Sequence, residues 1–307
     1  MRAGPYAAIA LAVVSVSFSA IFISWSTSPF VTIALYRLAL ASLILAPIVL
    51  LDRRRPLVGI PPRDILLMMG VGAILATHFT LWIGSLKIEG VQVSVASSVI
   101  LVTSHPLLVG ILSHFVLRER LNGRMAVGIA LGFSGVVVIA IADSTARSAS
   151  LGGDLLAFLG GVAAGFYFLA GRRLRQRIPL LAYAFVVYVS ATGFLFVFTL
   201  GLRESLTPIG PDWRTEMLLF LAMAVIPQIG GHTLYNWSLR WVPAPVVSLS
   251  LVGEPIGSSL LAWALLPGQV PGVAVGIGGA LALAGIYLTV LGQGARTRET
   301  VAARDVE

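Results

Sequence analysis

The sequence predicts an all-α membrane protein: ten transmembrane helices arranged as two inverted five-helix repeats around a central cavity. Three observations carry this expectation, namely the apolar composition, the spacing of charge-free runs and an internal repeat. Of 307 residues, 57% are hydrophobic and only 11% charged, and the mean hydropathy is +0.94. Such a chain belongs in a bilayer, and no polar segment is long enough to build a soluble catalytic domain. The absence of cysteine excludes disulfides, thiolate metal sites and a cysteine nucleophile. Lys87 is the sole lysine and sits in no phosphate-binding glycine loop, so the chain carries no ATP-driven pump of its own. The net charge of +8 reads as membrane orientation, because the basic residues are scattered among spanning segments; no nucleic acid is expected.

A bilayer core of about 30 Å takes roughly 20 apolar residues as helix. Cutting the apolar runs at Pro, Gly and Ser clusters places spans at 5–25, 31–51, 65–86, 91–117, 121–142, 153–171, 179–202, 215–239, 243–266 and 270–291. The first cut rests on Ser24-Trp25-Ser26-Thr27-Ser28-Pro29, the last on Pro267-Gly268-Gln269-Val270-Pro271-Gly272. The N-terminal run leads straight into a second span, which marks a retained helix and not a cleaved signal peptide.

Basic residues resist translocation, so their distribution sets orientation. With the N-terminus inside, the inner segments hold Arg2, Arg53, Arg54, Arg55, Arg63, Arg118, Arg120, Arg124, Arg172, Arg173, Arg175, Arg177, Arg240, Arg296, Arg298 and Arg304, which is sixteen. The outer segments hold four, Lys87, Arg147, Arg203 and Arg214. Both termini are therefore expected in the cytoplasm.

The repeat is visible residue by residue. Pro106 is followed by Leu112, Glu119, Gly128 and Gly135, and Pro255 by Leu261, Gln269, Gly278 and Gly285. Ser28-Pro29-Phe30 parallels Ile178-Pro179-Leu180, and Leu81-Trp82 parallels Leu234-Tyr235. The expected units are 1–147 and 148–295, with 296–307 as a cytoplasmic tail. Five spans per unit is an odd number, which forces the second copy to enter the membrane inverted. Many secondary transporters use this architecture, with a site near the midplane.

These residues resemble the EamA-type members of the drug/metabolite transporter superfamily. The likeness covers nearly the whole chain. It is carried by Ser28-Pro29 followed by Ala34-Leu35-Tyr36-Arg37; by Ser94-Val95-Ala96-Ser97-Ser98 leading to Pro106 and Glu119-Arg120-Leu121; by Gly153-Asp154-Leu155-Leu156-Ala157; and by Glu254-Pro255 with Leu260-Leu261-Ala262-Trp263. Two departures lie at span ends: Glu89 to Gln92 looks like an insertion, and Gln269 stands where the second repeat usually has Glu. The resemblance implies ten helices around a cavity, no detachable cofactor, and export of small metabolites such as amino acids.

Ionisable groups in a hydrocarbon layer need a pathway, a partner or a polar cavity. Arg37, His78, His105, His114, His232 and Glu254 fall within the expected spans. Glu254 stands near the middle of the ninth, beside Pro255. It reads either as a group that binds a proton or an ammonium, or as a bonded carboxylate that locks packing, with Arg37 as a candidate partner. Arg37 could attract a substrate carboxylate or serve in a buried pairing. Gln228, His232, Tyr235 and Asn236, at i, i+4, i+7 and i+8, share one face of an α-helix. His78, Trp82 and Ser85 form a similar stripe, as do Ser94, Ser97, Ser98 and His105. These stripes line the cavity or supply interhelical hydrogen bonds. Phe18, Trp82 and Tyr167 lie deep enough to stack on a flat or cationic substrate, while Trp25, Trp213 and Trp241 suit interfacial anchoring. Gly128 with Gly132, Gly161 with Gly165, and Gly272 with Gly276 have the spacing of close helix packing.

The expected function is a secondary exporter of small metabolites in the bacterial inner membrane, with amino acids as the preferred class and lipophilic cations or drugs as the alternative. An intramembrane enzyme or a sensory scaffold is disfavoured: there is no His-Glu-x-x-His helix, no metal site, no paired acids within the spans and no sizeable soluble segment. The expected partners are the small-molecule substrate and the lipid bilayer; no obligate protein partner is inferred.

Overall fold

Proline or serine precedes five of the helices among the described residues. The computed structural model describes residues 3–53, 56–90, 93–108, 122–145, 150–207, 212–238, 250–251 and 253–304, and among these there is helix and no strand. The elements are α1 (Ala3–Ser17), α2 (Ser19–Trp25), α3 (Phe30–Leu51), α4 (Pro62–Lys87), α5 (Val95–Val102), α6 (Gly123–Thr145), α7 (Leu151–Leu174), α8 (Leu180–Gly201), α9 (Trp213–Met223), a π-helix (Ala224–Thr233), α10 (Leu234–Ser238), α11 (Gly253–Leu265) and α12 (Val273–Arg304). Pro29 and Pro179 hold matching extended conformations ahead of α3 and α8, with φ −59° and ψ 150° in one and φ −59° and ψ 148° in the other. Ring-fixed φ and a missing amide donor suit a helix start. The Ser94, Ser150 and Asp212 side chains accept from the amides of Ser97, Gly152 and Arg214, satisfying donors that a helix start leaves open.

Among the described residues, six helices are long and apolar enough to cross a membrane: Tyr6–Trp25, Phe30–Leu51, Pro62–Lys87, Leu151–Gly171, Leu180–Gly201 and Trp213–Ser238. Shorter apolar helices occupy Val95–Leu108, Gly123–Ile139 and Val273–Thr289. Two expected spans, 91–117 and 243–266, thus appear among the described residues as the shorter α5 and α11; 109–121 and 239–249, with His114, Arg118, Glu119, Arg120, Arg240 and Trp241, lie outside the described residues. The outer surface is apolar, with Leu50, Leu66, Leu218 and Leu260 all exposed. Contiguous apolar surface of this kind is stable against lipid. Trp25 and Trp213 are exposed at their span ends.

Three expectations change. The first span breaks at Phe18, next to Ser17, whose hydroxyl donates to Val13 O at 2.8 Å, a back-bond that bends helices. The eighth span holds ten π-helical residues around Pro227, which removes an amide from the α-helical ladder. Residues 296–304, expected as a tail, continue α12.

Each main contact between the two repeats has a counterpart with the repeats exchanged. α4 packs on α7, and the π-helix on α1; α5 packs on α7, and α11 on α1. α6 lies along α12 with backbone against backbone: a Cβ on Gly135 would stand 2.4 Å from Gly278 O, and one on Gly128 would stand 2.8 Å from Gly285 O. The repeat pairs Gly128 with Gly278 and Gly135 with Gly285, so the contact is self-complementary, as at a two-fold interface. Gly276, expected at such a contact, faces open space, as does Gly272.

Gly285→Ala should therefore destabilise the protein by about 1–3 kcal/mol, the cost of overpacking, since its Cβ would meet Gly132 N at 2.2 Å. Gly193→Ala, with nothing within 4 Å, should leave the detergent melting temperature unchanged or slightly raised.

Candidate functional site

Both repeats break a helix just before a proline that pairs in their alignment, and both breaks face one cavity. α5 ends at Val102; after a turn at Thr103 and Ser104, helix resumes at His105, ahead of Pro106. In the second repeat, α11 begins at Gly253, and Glu254 precedes Pro255. Glu254 thus stands in a first helical turn, with its amide donating to Leu251 O at 3.1 Å, and not mid-helix as its place in the apolar run implied. Free amides and the helix dipole favour a carboxylate there.

The cavity is lined by His78, Trp82, Val102, Thr103, His105, Tyr167, Phe168, His232, Tyr235 and Glu254, together with Val16, Leu75, Ala164 and Leu251. Trp82 and Tyr235 are paired by the repeat, and His105 pairs with Glu254, so the cavity lies where the two copies meet. Its volume of about 30 Å³ has room for about two waters. His78 Nδ1 lies 2.8 Å from Gly160 O, and its ring stacks on Trp82 with centroids 6.0 Å apart. His105 stacks on Phe168 at 5.0 Å. The indole Nε1 of Trp82 is buried with no hydrogen-bond partner among the described residues. An open donor in a cavity wall is a place for an acceptor. No group of three or more His, Cys, Asp or Glu among the described residues can hold a metal ion.

Of the residues singled out by sequence, His78, Trp82, His105, Tyr167, His232, Tyr235 and Glu254 meet at this cavity. Phe18, Arg37, Ser98, Gln228 and Asn236 are placed elsewhere. Arg37 is wholly buried: Nε donates to Gln228 Oε1 at 2.9 Å, Nη1 donates to Ser19 Oγ at 2.7 Å, and Cζ lies 4.3 Å from the centroid of Phe79. Gln228 leaves the stripe that α-helical spacing drew through His232 and Tyr235, because i to i+5 bonding adds a residue to the turn between them. Ser98 Oγ lies 2.8 Å from Ser85 Oγ, joining α5 to α4. Asn236 donates to His232 O at 2.8 Å and to the Tyr167 hydroxyl at 3.3 Å, behind the wall. Phe18 stacks on Phe22 at 5.8 Å.

Sequence reasoning missed Thr103 and Phe168. The repeat held a signal for Phe168, since the register that aligns Ser28-Pro29 with Ile178-Pro179 puts it opposite Phe18. Thr103 had none beyond its place two residues before His105.

Residues 4–141 and 151–291 each match the model of the EamA-like transporter family. The chain belongs to that family. EamA-like relatives include the uncharacterized transporter YetK of Bacillus subtilis (strain 168), 28% identical over 213 residues, which is 66% of this chain and 62% of YetK. An uncharacterized transporter of Archaeoglobus fulgidus is 29% identical over 261 residues, 85% of this chain and 88% of that protein. The match to YetK thus spans less than two thirds of that protein's length. A crystal structure aligns over 95% of this chain and 98% of its own with a TM-score of 0.64 at 20% identity, which shows a shared fold.

A lysine has no planar fork to reach both Ser19 and Gln228 while lying over Phe79. Arg37→Lys should lower stability by about 1.5–3 kcal/mol, the worth of one hydrogen bond to a charged group, read as an earlier unfolding midpoint in detergent.

Proposed function

We propose that this EamA-like protein is a ten-span secondary transporter of the bacterial inner membrane, built of two inverted halves with both termini in the cytoplasm. It exports small metabolites, amino acids first among them, by alternating access to the cavity. The observation that carries this reading is the cavity's content: one carboxylate at a helix start, three imidazoles, an open indole donor and aromatic walls. An ammonium is matched by Glu254, a carboxylate by the Trp82 indole and neighbouring imidazoles, and an apolar side chain by Tyr167, Phe168 and Tyr235. The exchanged packing of the two repeats supports inversion, and the excess of arginine on one set of turns supports the orientation. The same aromatic walls with Glu254 favour lipophilic cations as a second reading, through cation–π contact.

Exchange of labelled amino acids in proteoliposomes tests the proposal, with a quaternary amine as competitor. Saturable exchange is expected. Glu254→Gln should lower it at least about tenfold, equivalent to about 1.4 kcal/mol of lost binding, and Trp82→Phe should weaken apparent affinity while leaving the protein folded. Exchange of the amine alone would move the substrate class to lipophilic cations. No exchange of either, by protein with the parent's melting temperature, would overturn the reading.

A further inference from the structure

Two carboxylates that the cavity does not use occupy matching places in the two repeats. Asp64 stands in the first turn of α4, 18 residues before Trp82; Glu216 stands in the first turn of α9, 19 residues before Tyr235. The surplus residue falls in the stretch that holds the π-helix, and a π-helical turn is the means by which a helix absorbs an insertion. Asp64 and Glu216 are therefore counterparts, and both are buried.

Each grips the turn that precedes the matching proline of the other repeat. Glu216 accepts from Ser26 Oγ at 2.6 Å, Ser28 Oγ at 2.7 Å, Thr27 N at 2.7 Å and Thr27 Oγ1 at 3.0 Å, just before Pro29. Asp64 Oδ1 accepts from Arg177 Nη2 at 2.5 Å, just before Pro179. Thr27 and Arg177 are the same position of the repeat. The two contacts stand at opposite ends of α4: Asp64 is at its start, and Lys87 at its end donates to Ser26 O. The 23 residues from Asp64 to Lys87 span about 35 Å at 1.5 Å each, the thickness of a membrane core.

We propose that these contacts are a pair of clasps that hold the cavity shut at the two faces, and that transport releases them one at a time. This rests on the transport reading above. The clasps are unequal in chemistry. Four donors surround Glu216 in a buried place, whereas Arg177 is 58% exposed, so its pair with Asp64 is screened by salt. The Asp64–Arg177 clasp is the weaker of the two and opens first. It lies beside Arg63, Arg173 and Arg175, on the arginine-rich face. The resting protein thus opens most readily toward the side from which an exporter loads.

The naturally cysteine-free chain allows a direct test. Thr103→Cys in the cavity is labelled with a membrane-impermeant maleimide, in vesicles of each orientation. Arg177→Ala should raise labelling from the Asp64 face by up to about fivefold, the worth of an exposed ion pair, and leave the other face unchanged. Concentrated salt should do the same to the protein with both clasps intact. The double variant Asp64→Arg with Arg177→Asp should restore low labelling, which a folding defect would not. Glu216→Ala should raise labelling from the opposite face, and Ser28→Ala, which keeps the carboxylate, should do so by less. Labelling that responds to none of these changes, or that rises on the same face for both clasps, would overturn the proposal while leaving a reachable cavity. A cysteine reached from neither face in any variant would overturn the transport reading and the clasps together.

Discussion

A fully buried guanidinium organises the middle of this molecule. Arg37 lies in a hydrocarbon-like interior where an unsatisfied charge costs a few kcal/mol, so everything near it is arranged to answer that charge. Ser19 on α2, Gln228 on the π-helix and the face of Phe79 on α4 converge on it. Three elements distant in sequence are thereby tied to α3. The tie draws Gln228 inward and leaves His232 and Tyr235 free to face the cavity. The π-helix reconciles these two demands on one span.

The second constraint is close backbone approach between α6 and α12. With no hydrophobic driving force between helices in lipid, packing rests on small residues that let backbones touch. Gly128, Gly135, Gly278 and Gly285 supply that contact in a self-complementary pattern. The same exchange recurs where α4 meets α7 and the π-helix meets α1. Symmetry positions the broken helices at His105 and Glu254 on one cavity. It does not make the cavity symmetric, because one repeat contributes an imidazole and an indole where the other contributes a carboxylate and a phenol.

Strength is unevenly distributed through this frame. The core around Arg37 is densely packed, with Nη2 left without a hydrogen-bond partner among the described residues, while the cavity is small and edged by turns at Thr103 and Leu251. Contacts between the repeats at the two faces differ in their donors and exposure.

Much of the fold was legible in the sequence because lipid imposes a simple rule: apolar runs of sufficient length become helices, and turn residues end them. That rule located α3, α4, α7 and α8 closely, and the repeat forecast the matched prolines. It also brought seven cavity residues into view, since polar groups in apolar spans are few. What the sequence did not determine was which way those groups point. Arg37 bonds to Gln228 and Ser98 to Ser85, and only tertiary contact reveals that these groups are engaged. The π-helix shifted the face that α-helical spacing assigned to Gln228, and the helix break moved Glu254 from the middle of a run to a first turn. Periodicity records one helix at a time. The partner that answers a buried charge stands on another helix, which only the packed bundle brings near.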